Sequence, residues 1–308
     1  MVNEQHPTLA ILGSTASGKS ALALELAKKY NGVILSIDSL ALYRHIDIAS
    51  AKPSPDELRA VPHYGIDILE PDQSFNVMQY AELYREALEH ARRLKGPLFL
   101  VGGSSFYLKT LLDGISPLPE IDDEIRHKVA SWIQKPDKAY RELTSIAPRT
   151  AHTLASNDRY RIEKSLLIAL ATGREPIEYF AEHPPRPLID PPPLFELVLE
   201  RHQLRHRIKE RTRQMLEQGL VDEVAFLESR YGRAPQSMKA IGIVEVLDYF
   251  DGRYGYKEME EKIITHTARL AKRQRTFNQH QFTEIVRGGR EVLIRAIEAR
   301  LASWIKSR

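Results

Sequence analysis

The stretch Gly13-Ser14-Thr15-Ala16-Ser17-Gly18-Lys19-Ser20 fits the G-x-x-x-x-G-K-[ST] spacing that cradles phosphate. Its glycines let the backbone bend until its N–H groups converge on an anion, and a following helix adds the positive end of its dipole. Lys19 supplies a point charge and Ser20 a hydroxyl able to hold magnesium. The chemistry implied is the binding of a di- or triphosphate. Asp38 ends the next apolar run, Val33-Ile34-Leu35-Ser36-Ile37. A carboxylate there can hold magnesium, act as base for an incoming nucleophile, or cap the segment that follows. A nucleotide-hydrolysing site would carry another acid at the end of a second strand. The run Leu98-Phe99-Leu100-Val101 ends in Gly102-Gly103-Ser104-Ser105 instead.

Two basic stretches add to this. In residues 201–215, Leu204, Ile208 and Met215 form an inward stripe at helical spacing, and Arg211 falls on it. A guanidinium on that face needs a carboxylate or a phosphate, and its fork matches phosphate oxygens. Residues 266–282 contain no acid, and Arg269, Lys272 and Arg273 share a helical face among aromatic and amide side chains. That pattern suits an RNA backbone and unstacked bases as well as a solvated surface.

The elements that must position these groups read as α/β. A strand at residues 9–12, the glycine loop, a helix of strong formers at 21–29 and a strand at 33–38 open a parallel sheet. Ligands gather at the carboxyl ends of such strands. A helix at 76–94, the strand at 98–101 and a helix at 105–112 continue it. Residues 122–180 are helical throughout, and six prolines in the ten residues 184–193 close that region. A strand at 195–199, helices at 201–229 and 256–279, a short strand at 284–286 and a last helix complete the chain. The expected architecture is a P-loop NTPase-like parallel core from 1–115 and 194–308, with an inserted all-helical domain at 116–193 and a helical C-terminal part.

With 308 residues and 43% hydrophobic content the chain can bury a full core. The net charge of +3 is too small to imply nucleic acid by itself. The absence of cysteine excludes disulfides and thiolate-bound zinc. Neither a targeting segment at Met1–Pro7 nor a membrane-spanning run is expected, so a cytoplasmic protein is.

Several stretches together resemble the tRNA dimethylallyltransferases. They are the glycine loop, Asp38-Ser39 with Tyr43, Ala51-Lys52-Pro53 with Pro62-His63, and Val101-Gly102-Gly103-Ser104 with Tyr107. Ser116-Pro117-Leu118-Pro119, Ala240-Ile241-Gly242 with Glu245, and Ala271-Lys272-Arg273-Gln274 complete the set. The resemblance implies transfer of a dimethylallyl group from dimethylallyl diphosphate to N6 of the adenosine just 3′ of the anticodon, releasing diphosphate. It implies Asp38 as general base, with Thr15 and Arg211 also catalytic. Residues Gly13, Ser14, Thr15, Ala16, Ser17, Gly18, Lys19, Ser20 and Ser104 would bind the diphosphate, with Mg2+ on Ser20. By the same resemblance Asp38, Ser39, Leu40, Ala41, Ser104, Lys239, Ala240, Ile241, Gly242, Lys272 and Arg273 would touch the tRNA anticodon stem-loop from the core domain. Arg126, Arg161 and Lys164 would touch it from the inserted domain. The base must leave its stack to reach such a pocket. A monomer is expected. The sequence departs from the family at Ser14, where proline is usual, and at Ser20 and Ser104, where threonine is. Further departures are Lys164 for arginine, Ile243-Val244 for an aromatic and a basic residue, and Phe277-Asn278 where tryptophan leads. From the residues alone, an ATP-binding small-molecule kinase and a nucleotide-regulated RNA-binding protein remain alternatives.

Overall fold

The computed structural model of the protein describes residues 6–306; the stretch 1–5, where no targeting signal is expected, lies outside them. In chain order the elements are β1 (Thr8–Gly13), α1 (Lys19–Tyr30), β2 (Val33–Ser36), α2 (Pro55–Ala60), β3 (His63–Tyr64), α3 (Val77–Leu94), β4 (Leu98–Gly102) and α4 (Ser105–Asp113). Five helices follow: α5 (Asp123–Ile133), α6 (Pro136–Ile146), α7 (Pro148–Ala151), α8 (Arg159–Thr172) and α9 (Pro176–Glu182). The chain then runs through β5 (Leu194–Leu197), α10 (Arg201–Glu217), α11 (Leu220–Tyr231), α12 (Ile243–Phe250), α13 (Tyr256–Gln281), β6 (Ile285–Gly288) and α14 (Arg290–Lys306). The chain divides into two compact units, residues 1–109 with 189–308, and residues 110–188.

In the first unit the strands pair in parallel in the order β3-β2-β4-β1-β5-β6. Strand residues alternate between faces. Leu9, Ile11, Phe99 and Val101 pack on α1 and α14 through Leu22, Leu26, Leu293 and Ile297. The intervening Ala10, Leu12, Leu98 and Leu100 are equally buried. Burial on both faces explains why these strands read as unbroken apolar runs. From β1 the chain goes to β2 on one side, while β4 leads on to β5 on the other side. The carboxyl ends of β1 and β4 therefore flank the reversal point where an open α/β sheet takes its ligand. A second cluster in the same unit joins α10–α13 to Ile46 and Ala49 of the loop after β2.

Several element ends differ from the sequence reading. β2 stops at Ser36, because Asp38 turns the chain by accepting the Leu40 N–H at 2.9 Å. On α10, Leu204 is only half-buried while Thr212 joins Ile208 and Met215 inside. The Thr212 hydroxyl donates to the Ile208 carbonyl at 2.9 Å, so its burial strands no polar group.

The second unit packs α5, α6, α7 and α8 around Val129, Trp132, Leu143, Ile162 and Leu166. Glu175 ties its turns together by accepting the N–H groups of Arg149 and Thr150 and the Thr150 hydroxyl at 2.7–3.1 Å. Apart from the isolated bridge between Ile115 and Arg186, its described residues form no strand pairing.

Candidate active site

The glycine loop leaves β1 and delivers α1 with Gly18 as its N-cap, at φ +96°, a left-handed conformation that favours glycine. Ser17 N–H donates to the Ser14 carbonyl at 3.1 Å, closing the loop on itself. Ser17 Oγ is buried without a hydrogen-bond partner, packed so closely on Gly13 that a Cβ there would lie 2.8 Å from it. Lys19 is buried and Ser20, one residue on, is exposed.

Beside the loop lies a cavity of about 500 Å³. Its polar wall brings together Thr15, Lys19, Asp38, Ser39, Ser104 and Arg211, which come from four separate segments. The Ser104 hydroxyl, just past β4, accepts the Ser39 N–H at 3.3 Å and so binds the end of β4 to the turn that carries Asp38. Burial pushes the Arg211 guanidinium down, partly offset by the Asp38 carboxylate. The inward arginine thus faces both an acid and the phosphate loop.

Burial also pushes the Lys19 ammonium from 10.5 down to about 8; Asp38 pulls it back up and Arg211 lowers it further. A bound diphosphate favours the charged lysine. Below about pH 8 that charge is already present, and above it a proton must be taken up on binding. Affinity for inorganic diphosphate should therefore fall by up to about tenfold per pH unit above that point. Lys19→Arg, whose guanidinium does not titrate there, should remove the fall. Calorimetric titrations across this range check it, and equal slopes for the two proteins would refute it. Without ligand, the lowered value works against folding at neutral pH. Stability should rise from about pH 8 toward 10.5, where the unfolded chain loses its proton.

Two contacts at the loop have no local signal in the sequence. Gln274 of α13 accepts the Thr15 N–H through Oε1 at 2.8 Å. A Cβ on Gly103 would lie 2.5 Å from its Nε2, so Gly103 is small because Gln274 fills the notch between the two strand ends. From α10, Arg207 donates to the Ser17 carbonyl at 2.9 Å. Gln274 was legible only as part of the Ala271-Lys272-Arg273-Gln274 stretch, and Arg207 only as one of several basic residues on α10.

Other motif residues shape the walls. The Lys52 side chain is buried and donates to the Tyr43 carbonyl, Asp47 and Asp67 at 2.5–2.7 Å, pinning the loop that crosses the strand ends. The Glu223 carboxylate accepts the N–H groups of Asp47, Ile48 and Ala49 at 2.7–2.9 Å and holds the same loop. The buried Glu245 accepts the Gly242 N–H at 2.6 Å and meets His266 Nδ1 at 2.5 Å. Lys239, Ala240 and Ile241, just before Gly242, stand on the cavity wall. Leu40 lines the cavity as well, whereas Ala41 is buried beneath it and does not. Lys272 and Arg273 are exposed on α13, outside the cavity.

In the helical unit Arg126 and Arg161 are exposed and meet Asp123 and Asp158 at 4.0 and 3.6 Å, within the range where such pairs contribute little. Lys164 sits over the Tyr160 ring at 5.7 Å. Among the described residues no group of three or more His, Asp or Glu could hold a metal ion, and no helix is long and apolar enough to cross a membrane.

A family model described as IPP transferase matches residues 41–281, a span that includes Ser104, Arg211 and Gln274. The tRNA dimethylallyltransferase of Nautilia profundicola is 50% identical over 274 residues, covering 89% of this chain and 92% of its own. That of Wolinella succinogenes is 48% identical over 277 residues, covering 90% and 92%. The crystal structure of the full-length tRNA isopentenylpyrophosphate transferase of Bacillus halodurans aligns with a TM-score of 0.70 at 29% identity over 98% of both chains. A eukaryotic dimethylallyltransferase captured acting on tRNA aligns at 0.77 with 25% identity, over 89% of this chain and 70% of that one. The P-loop-like parallel sheet is thus shared with solved tRNA isopentenyltransferases, and on the family match and these identities the chain belongs to the IPP transferase family.

Proposed function

We infer that the protein is a tRNA dimethylallyltransferase that moves a dimethylallyl group from dimethylallyl diphosphate to N6 of the adenosine 3′-adjacent to the anticodon. The observation that carries this reading is the meeting of one carboxylate, Asp38, with Lys19, Arg211 and Thr15 in a single cavity. A diphosphate that leaves intact needs cations and donors, not a hydrolytic water held by a second acid. β4 accordingly ends in Gly102 with Gly103 after it.

In the step itself the adenine N6 attacks C1 of the dimethylallyl group. The N6–C1 bond forms as the C1–O bond breaks, and the electron pair of that bond leaves with the diphosphate. Asp38 takes the N6 proton. Charge growing on the leaving oxygen is met by Arg211, Lys19 and the N–H groups of the loop, aimed there before reaction. Gln274 occupies the Thr15 amide, so Thr15 would act through its hydroxyl. Ser104 would orient the base opposite Asp38 through its contact with Ser39.

For magnesium, the donor set offers the exposed Ser20 hydroxyl beside the diphosphate oxygens, hard oxygen ligands of the kind the ion takes. When bound it would neutralise charge on the diphosphate. The anticodon stem-loop would meet Lys239 and the exposed Lys272 and Arg273 on the core unit, and Arg126, Arg161 and Lys164 on residues 110–188 as a tRNA-binding domain.

The test is incubation with magnesium, labelled dimethylallyl diphosphate and unmodified tRNA, followed by nucleoside analysis. Label on an adenosine 3′ to the anticodon is the expected result. A protein competent to bind both substrates that leaves the tRNA unlabelled would overturn the assignment.

A further inference from the structure

α10 and α13 both run away from the phosphate loop along the cavity, in opposite chain directions. On α10 the order is set by contacts: Arg207 touches the Ser17 carbonyl, Arg211 faces Lys19 and Asp38, and Met215 ends in the apolar cluster of α11 and α12. On α13 the cavity-lining residues are Gln274, Leu270, Thr267 and Ile263, a single helical face that starts at Thr15 and ends in that same cluster. At about 1.5 Å per residue, Met215 lies roughly 12 Å along its helix from Arg207, and Ile263 roughly 16 Å along its own from Gln274. Along these two helices the cavity wall is thus polar at the loop, carries Thr212 and Thr267 further on, and ends in two buried apolar side chains, Met215 and Ile263, 9% and 1% exposed.

We propose that Met215 and Ile263 set the length of the isoprenoid donor, forming a floor that seats a dimethylallyl tail and rejects a geranyl one. The inference rests on the transferase reading above. A donor whose diphosphate is held by Lys19 and Arg211 must direct its hydrocarbon away from those charges, and beyond Arg211 and Gln274 the cavity faces of α10 and α13 pass Thr212, whose hydroxyl is satisfied within its own helix, Leu270 and Thr267 to reach this floor. Adenine, with N6 at Asp38, takes the side of Ser39 and Ser104. A longer tail has no room, because the floor side chains belong to the same buried cluster as Ala49, Val224 and Ile243, and an overpacked interior resists insertion.

The experiment measures kcat/KM for dimethylallyl and geranyl diphosphate with unmodified tRNA, in wild type, Met215→Ala, Ile263→Ala and the double variant. Products are identified by nucleoside mass. The wild type should prefer dimethylallyl. The geranyl-to-dimethylallyl ratio should rise at least about tenfold in the single variants and further in the double, in line with the selectivity an apolar pocket gives per added or missing group. A merely structural role would lower both donors together and leave the ratio unchanged, which overturns the proposal. Wild type using geranyl as readily as dimethylallyl also overturns it. Where an alanine variant fails to fold, Met215→Val and Ile263→Val carry the same ratio test. A wild type that transfers neither group counts against the transferase reading itself, a result distinct from either outcome above.

Discussion

Asp38→Asn is expected to lower the rate of transfer about 10²–10⁴-fold, the range a positioned base contributes, while leaving tRNA and diphosphate binding largely intact. The substitution is conservative for the fold. Asp38 Oδ1 accepts the Leu40 N–H, a bond that the asparagine oxygen can keep. What is lost is the group able to take the N6 proton. A second consequence is electrostatic, because Asp38 raises the Lys19 pKa from its side of the cavity. With the charge gone, Lys19 should drop further below about 8, and the pH above which diphosphate affinity declines should move down with it. Single-turnover transfer and the pH profile of diphosphate binding read the two effects separately. Near wild-type transfer by the variant would remove Asp38 from the role of base.

Arg211→Ala should lower kcat by about 10²–10³-fold, as expected when one aimed donor to a growing charge is removed. Arg211→Lys should fall between, since it keeps a charge but loses the planar fork. The linked effect on Lys19 has the opposite sign to that of Asp38→Asn. Arg211 lowers the lysine, so its loss should raise the Lys19 pKa and shift the decline in affinity to higher pH. A rise in donor KM with kcat unchanged would mean that Arg211 grips the diphosphate equally before and during bond breaking.

What the sequence made legible here was local. The glycine loop between an apolar strand and a helix of strong formers, the carboxylate after β2, the glycines after β4 and an arginine on an apolar stripe are each written within a dozen residues. The inward Arg211 was read from spacing alone, and it does line the cavity beside Asp38. The stripe itself was read one position off: Thr212 is buried because its hydroxyl is satisfied within the helix, which a count of apolar residues does not see. Long-range contacts left no such trace. His63–Tyr64 is too short for an alternation to show, and it becomes a strand only because β2 offers it an edge. Glu223 carries no signal in the sequence, and Lys52 and Glu245 stand out there only within motif stretches that do not show what they hold. In the fold Lys52 and Glu223 gather groups of the loop that carries Tyr43 and Ala49 to the cavity, and Glu245 holds the Gly242 N–H and His266.

The bond between Thr15 and Gln274 joins residues 259 positions apart. During synthesis the glycine loop and α1 emerge first, and at about 5–20 residues per second they wait many seconds for their partner. α10 arrives with Arg207 and Arg211, then α13 with Gln274, and only afterwards does β6 close the sheet edge beside β5. A nascent chain can thus expose β1, the loop and α1 while the strands that pair with β1 and the two helices that shape its phosphate loop are still to come. The order of translation makes catalytic competence one of the last properties this fold acquires, and it gives a stalled or truncated product no early pocket to compete for donor.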